Sequence, residues 1–499
     1  MTTMCRLSQK ERNFFRLVNT AVFANPFSSE RAAVDREIAG LLAGNDRKNQ
    51  VDRAISEVHS TLDQMKRKGR LDLSRYAGDD RLILERAVAF DIFYQHVDLI
   101  DRFIQDQIVA GSDPLRAAFA KGMLGAMKAA GISDATAARY LEYSFQFRRA
   151  YFFIFQNLVG RSAGMQQLRE RLWNNVFTQD MNTYDRYLRG RMEDFSTLIL
   201  GETGTGKGTV AAAIGQSGFI PFDKDTDTFI ESFARSFVEL NLSQYSEALI
   251  ESELFGHRKG AFTGATHDHR GVFSKCSRHG AIFLDEIGDV SQPIQIKLLK
   301  VLEERQFSPV GGHEKMRFQG RIIAATNHRL DDIVKREVMR EDFLYRLCSD
   351  IIIVPPLRQR IQEDARELDD LLAHTIERII GEPSEELVSV SRRIILKELG
   401  KDYPWPGNVR ELGQCVRQIL LNRTYRSIHR QAAEDKSWAA TAGSAAAGIV
   451  DAQSLLQQHC FGLYRKHGTY GEVARLTRLD RRTVKKYISR WQDKMDHTG

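Results

Sequence analysis

One short run limits this chain more than any other. Gly201, Glu202, Thr203, Gly204, Thr205, Gly206 and Lys207 spell GxxxxGK. An apolar run of strand type, residues 195–200, precedes them, and a helical pattern follows. Strand, Gly-rich loop and helix in that order form a P-loop. The glycines let backbone N–H groups curl round phosphates, and the helix aims its positive end at the same place. Lys207 neutralises the β/γ charge. A plain Gly-rich turn is the alternative, and the strand before it argues against that. The hydroxyl residue that usually follows the lysine as a Mg²⁺ ligand is absent. Gly208 stands there, with Thr209 next.

A second run completes the chemistry. Residues 281–285, AIFLD, read as a buried strand that ends in two carboxylates, Asp285 and Glu286. Asp285 suits Mg²⁺, directly or through water, and Glu286 suits a base that orients an attacking water. Further strand-like runs lie at 237–241, 321–326 and 351–354, with helical patterns between them. Five such strands with helical crossovers predict a five-stranded parallel sheet covered on both faces. By contrast, residues 1–159 read as helices. Phe90, Phe93, Val97, Ile100, Ile104 and Ile108 recur at helical spacing, and 145–155 are rich in aromatics.

Length and charge set the outer bounds. A chain of 499 residues exceeds one compact core. No apolar run approaches a membrane span, and the first ten residues lack the apolar stretch of a signal peptide, so a cytoplasmic protein without membrane attachment is expected. The five cysteines, Cys5, Cys276, Cys348, Cys415 and Cys460, include no CxxC pair and predict reduced, packed thiols. Net charge is +7, concentrated at one end: residues 461–499 hold ten Lys/Arg against four Asp/Glu. A basic tail on a near-neutral body points to nucleic acid. Residues 431–450 contain eight alanines with scattered Gly and Ser and read as a linker.

The most specific run is ESELFGHRKGAFTGA, residues 251–265. It resembles the GAFTGA loop of bacterial enhancer-binding proteins, the AAA+ activators of sigma-54 RNA polymerase. The resemblance runs from about residue 160 to 425 and resumes in the tail. It implies that Gly260, Ala261, Phe262, Thr263, Gly264 and Ala265 contact sigma-54, chiefly through Phe262 and Thr263. Asn241 falls where the family has a switch residue paired with the catalytic glutamate. Thr326 and Asn327 match sensor I. Arg340 and Arg346 lie in the segment carrying arginine fingers, which act on a neighbour's nucleotide in a hexameric ring. Arg410, in PWPGNVREL, matches sensor II of the helical lid and faces nucleotide. The family usually has glutamate where Gly208 stands. Residues 173–194 and 219–236 look longer than the family pattern and are expected to be surface insertions. His267, Asp268 and His269 read as a polar turn.

The tail reads as a helix-turn-helix resembling the Fis-type domain of these activators. Leu476, Leu479, Val484 and Ile488 supply a packed side, Asp480 a cap, and Arg478 replaces the turn glycine. Arg481, Arg482 and Thr483 are placed to read bases of double-stranded DNA upstream of a promoter, while Lys485, Lys486 and Arg490 suit phosphates.

The expected fold is therefore multidomain. A helical regulatory domain spans 1–159, an α/β ATPase subdomain 160–362, a helical lid 363–430, the linker 431–450 and an all-α helix-turn-helix 451–499. The expected function is ATP- and Mg²⁺-dependent activation of the sigma-54 RNA polymerase holoenzyme. The alternative is a DNA-binding AAA+ regulator that acts on a different partner or uses its ATPase only to oligomerise.

Overall fold

The runs read as strands do form one parallel sheet. In the computed structural model, which describes residues 4–41, 46–335, 338–427 and 452–496, they are β1 (Thr197–Leu200), β2 (Phe237–Asn241), β3 (Ala281–Asp285), β4 (Arg321–Thr326) and β5 (Asp350–Ile353). Their spatial order is β2-β3-β4-β1-β5, and every pairing is parallel. The expected linker lies outside the described residues. β1 has neighbours on both sides and all four of its residues are buried, as a strand covered on both faces requires. Alternation divides the sheet into two cores. Leu198, Leu200, Ile282 and Leu284 pack on one face, while Ile199, Phe283, Ile323 and Ile352 pack on the other.

Helices before the sheet are α1 (Gln9–Phe23), α2 (Ser29–Ile38), α3 (Arg47–Arg67), α4 (Gly78–Ala110), α5 (Ala118–Ala129), α6 (Asp134–Gln156) and α7 (Ala163–Phe177). Their ends are written locally. Ser8 and Glu11 form a reciprocal capping box on α1, and Ser133 caps α6. The stripe on α4 faces inward at Phe90, Ile100 and Ile104, whereas Ile108 near its end is 44% exposed.

These helices share one apolar core with a face of the sheet and with α8 (Lys207–Gly215), the helix that follows the P-loop. The two stretches expected as surface insertions create that continuity, which corrects the expectation. From 173–194, Phe177, Met181 and Tyr184 are buried. In 219–236, Phe222–Asp223 pairs antiparallel with Thr228–Phe229, and Phe229 and Phe233 are buried. Phe229 stacks on Phe145 of α6 with ring centroids 3.9 Å apart. The physical cause is the aromatic row of α6, which needs apolar cover that these stretches supply. Tyr151 stacks between Phe27 and Phe155, so the aromatics there pack on one another.

Apart from the short helices Met181–Thr183, Val272–Lys275 and Leu330–Lys335, the others are α9 (Glu247–Phe255), α10 (Gln292–Glu304), α11 (Glu341–Leu347), α12 (Leu357–Glu363), α13 (Glu367–Ile380), α14 (Glu385–Leu399), α15 (Asn408–Asn422), α16 (Ala452–His467), α17 (Tyr470–Thr477) and α18 (Arg481–Asp496). Two compact units result: residues 1–392 with 403–416, and residues 393–402 with 417–499. In the second, α16, α17 and α18 enclose Cys460, Val473, Val484 and Ile488. No helix among the described residues is long and apolar enough to cross a membrane.

Candidate functional site

The P-loop leaves β1 at Gly201 and enters α8 at Lys207. Gly204 and Gly206 have φ of +81° and +103°, a region that side chains disfavour. At Gly204 the need is also steric. A Cβ there would come within 2.3 Å of the Gly407 carbonyl oxygen and 2.9 Å of Arg410 Cβ. The Arg410 N–H donates to the Gly204 carbonyl at 3.3 Å, so the expected sensor II residue does lie on the loop. Lys207 is 7% exposed, and its Nζ donates to the Gly201 carbonyl at 2.9 Å and the Glu202 carbonyl at 3.4 Å.

Asp285 and Glu286 end β3 with different surroundings. Asp285 accepts from the Glu286 N–H at 3.0 Å and from Asn241 Nδ2 at 3.4 Å. Parallel register places Asn241 directly beside Asp285, so the expected pairing of Asn241 with Glu286 is replaced by one with Asp285. Glu286 leaves the strand with φ of +56° and accepts from the Asn327 N–H at 3.3 Å. Burial raises the Glu286 pKa; Lys207 opposes this and Asp285 reinforces it. Burial likewise lowers the Lys207 pKa, against the pull of Glu286 and Asp285. Of the two sensor I residues, Asn327 reaches the P-loop, with Nδ2 3.5 Å from Thr203 Oγ1. Thr326 does not: it is fully buried and its hydroxyl accepts from the His328 N–H.

Two residues absent from the expected site belong to it. Arg358 forms a two-pronged ion pair with Glu202, and this lowers the Glu202 pKa. Asn408 is buried with φ of +53°; its Nδ2 donates to Glu202 and to the Thr203 carbonyl, and its Oδ1 accepts from Leu357 N–H. The asparagine was visible inside PWPGNVREL, but nothing local to Arg358 announces its partner, which lies 156 positions away.

The arginines of the finger segment point elsewhere within the subunit. Arg340 pairs with Asp342, two residues on, at 2.7 Å. Arg346 donates through Nε and Nη2 to the Leu302 carbonyl.

The GAFTGA loop rises beyond α9 as a closed turn. Gly260 and Gly264 take φ of +81° and +101°, and Gly260 N–H donates to the Ala265 carbonyl at 2.8 Å. Asp268 anchors its base by accepting from the Lys259 N–H at 2.7 Å and from Arg258. Thr263 is exposed, and Phe262 is 40% exposed with its ring edge-on to His257. Ala261 packs against Gly311, in the loop between Gln306–Phe307 and Met316–Arg317.

In the second unit, Asp480 caps α18 through the Arg482 and Thr483 N–H groups. It also engages the Thr483 hydroxyl, so Thr483 serves the cap instead of facing outward. Arg481, Arg482, Lys485, Lys486 and Arg490 are exposed. Arg478 holds φ of +55° at the turn, the strained geometry a glycine would relieve. Leu476 is 42% exposed, not packed as expected, because the eight-residue α17 gives its inward position to Val473.

Sheet order, the glycine loop between β1 and α8, the paired carboxylates at the end of β3 and the Arg410 backbone contact define an α/β domain of P-loop type. Residues 175–352 match the Sigma-54 interaction domain family. The chain is also similar to characterised regulatory proteins. It is 40% identical to the Nif-specific regulatory protein of Azotobacter vinelandii over 238 residues, 48% of this chain and 42% of the relative. With the regulatory protein AtoC of Escherichia coli it shares 38% over 255 residues, 50% of this chain and 51% of the relative. The chain thus spans about half the length of the curated relatives it matches. A crystal structure of NtrX from Brucella abortus is similar at 20% identity and a TM-score of 0.41, covering 74% of this chain and 79% of that one.

Proposed function

We propose that this protein hydrolyses ATP to activate transcription by sigma-54 RNA polymerase from an upstream DNA site that its own tail holds. The observation that carries the reading is the pairing of two features in one domain. An assembled P-loop and acidic site is combined with a closed GAFTGA turn that leaves Phe262 and Thr263 exposed. An aromatic held out of the core on a glycine-flanked turn is suited to a partner surface.

The chemistry follows from the residues. Lys207 exchanges the carbonyls of Gly201 and Glu202 for nucleotide phosphates. Asp285 fits a Mg²⁺ position, directly or through water, since Gly208 brings no hydroxyl and the Asp285 carboxylate ends the strand beside the loop. Bound there, the ion would offset charge on the β- and γ-phosphates. Glu286, deprotonated, orients the attacking water. Asn327 and Arg410 tie the γ-phosphate position to β4 and the lid. Arg340 or Arg346, supplied across a subunit boundary in a hexameric ring, would stabilise charge on the transferring group.

Promoter activation in a purified sigma-54 system tests the reading. Thr263→Ala should lose activation while keeping most of its ATPase, because the loop's hydrogen bonds close on themselves and not on the P-loop. Equal loss of both activities would show that the loop is structural.

For the tail, Arg481→Ala with Arg482→Ala should abolish sequence-specific footprints and spare ATPase. Lys485→Ala should instead weaken binding to all sequences and reduce the salt slope by about one unit. An unchanged footprint in the double variant would exclude α18 as the reading helix.

A further inference from the structure

The P-loop helix α8 is held at both ends. Its first residue, Lys207, belongs to the phosphate site. Its last residue, Gly215, has no room for a Cβ, which would lie 2.3 Å from the Phe237 ring. The helix is therefore wedged on the sheet and responds to force as a body. Beyond Gly215 the chain turns through Ser217 and Gly218, and that turn is gripped by α6. Gln146 Nε2 donates to the Ser217 carbonyl at 3.1 Å, and Arg149 donates to the Gly218 carbonyl. Spaced by three residues, the two side chains leave one face of α6 together.

The chemistry of that grip is unusual for a contact that serves stability alone. Arg149 is fully buried, sandwiched between the Phe145 and Phe233 rings at 4.7 and 5.3 Å. Its Nε and Nη1 have no hydrogen-bond partner among the described residues, nor does Gln146 Oε1. An apolar pair of the same volume would avoid burying a cation and three unmet polar atoms. Beside the turn lies a cavity of about 50 Å³, lined by Gln146, Tyr184, Gly218, Phe219 and His279 among others. It has room for one or two waters, or for the turn to shift and meet the idle donors.

We propose that Gln146 and Arg149 are positioning residues through which the amino-terminal helices set the P-loop helix, and through which nucleotide at the P-loop is felt in α6. The inference rests on the nucleotide reading of the P-loop. When Lys207 leaves its two loop carbonyls for phosphate, α8 transmits the change to the Ser217–Gly218 turn. Arg149 and Gln146 then exchange partners. Coupling of this kind is reciprocal, so any event that moves α6 changes nucleotide affinity by the same factor.

Hydrogen exchange on the full chain, with and without a non-hydrolysable ATP analogue, reads the coupling directly. Saturating analogue should slow exchange of α6 amides around residues 144–152 in the wild type. Arg149→Met should remove that protection while still binding analogue, with an affinity changed by roughly 5-fold or more. Arg149→Lys, which keeps a cationic donor, should restore most of the protection. Gln146→Met provides the same test should Arg149→Met fail to fold, and should shift KM for ATP more than kcat. Wild-type α6 that is indifferent to bound analogue would overturn the proposal, as would full protection in Arg149→Met. A wild-type chain that binds no analogue would instead bring down the nucleotide reading, and this inference with it.

Discussion

Glu286→Gln is expected to bind ATP as the wild type does and to hydrolyse it roughly 100-fold or more slowly. In the proposed reading nucleotide is held by the P-loop, Lys207 and the lid, and none of these needs the Glu286 carboxylate. The substitution keeps shape and an acceptor for the Asn327 N–H, but it removes the base. Equilibrium binding of a fluorescent ATP analogue alongside steady-state phosphate release separates the two effects. Turnover equal to wild type would exclude Glu286 as the residue that orients water. The same carboxylate predicts a pH profile. Burial raises its pKa above the ordinary 4.5, so the active, deprotonated form is lost as pH falls, at a higher pH than for a free glutamate. The acid limb of kcat should vanish in Glu286→Gln.

Removing residues 1–159 is expected to yield an aggregating protein and not a free-standing ATPase. Phe229, Phe233 and Phe177 are buried and belong to the core shared with the amino-terminal helices. A chain beginning at Gly160 would expose this surface as one apolar patch. A graded version is Phe145→Ala in the full chain. Phe145 is 2% exposed and stacks on Phe229, so truncation should cost about 3–5 kcal/mol. Because the core is continuous, the loss should lower the unfolding midpoint of the helices and the parallel sheet together. A monodisperse truncated chain with ordinary thermal unfolding would mean that the shared core is dispensable.

Much of the site is local in sequence and was legible there. The P-loop glycines, Lys207 and the Asp285–Glu286 pair each follow a strand whose apolar run announces it. The GAFTGA turn carries its own closing glycines, and Asp480 caps α18 from the adjacent position. Legibility ended where a partner had to be chosen across space. Asn241 pairs with Asp285 because of strand register, Thr326 turns inward, and Thr483 is drawn into its own cap. Arg358 finds Glu202 only once α12 stands beside the loop.

The sequence by itself determined the parallel sheet, the glycine-rich loop after β1, the acidic strand end, the exposed glycine-flanked turn and the basic last helix. Each is set by periodicity, by backbone freedom at glycine, or by charge within a few residues. Only the tertiary structure decided what the two long stretches at 173–194 and 219–236 do. Their aromatics carry no sign of destination, since a buried ring and a loop ring have the same letter. Hydrophobic burial is non-directional, and it took the folded α6 to turn those rings into the seam that joins the amino-terminal helices to the P-loop helix.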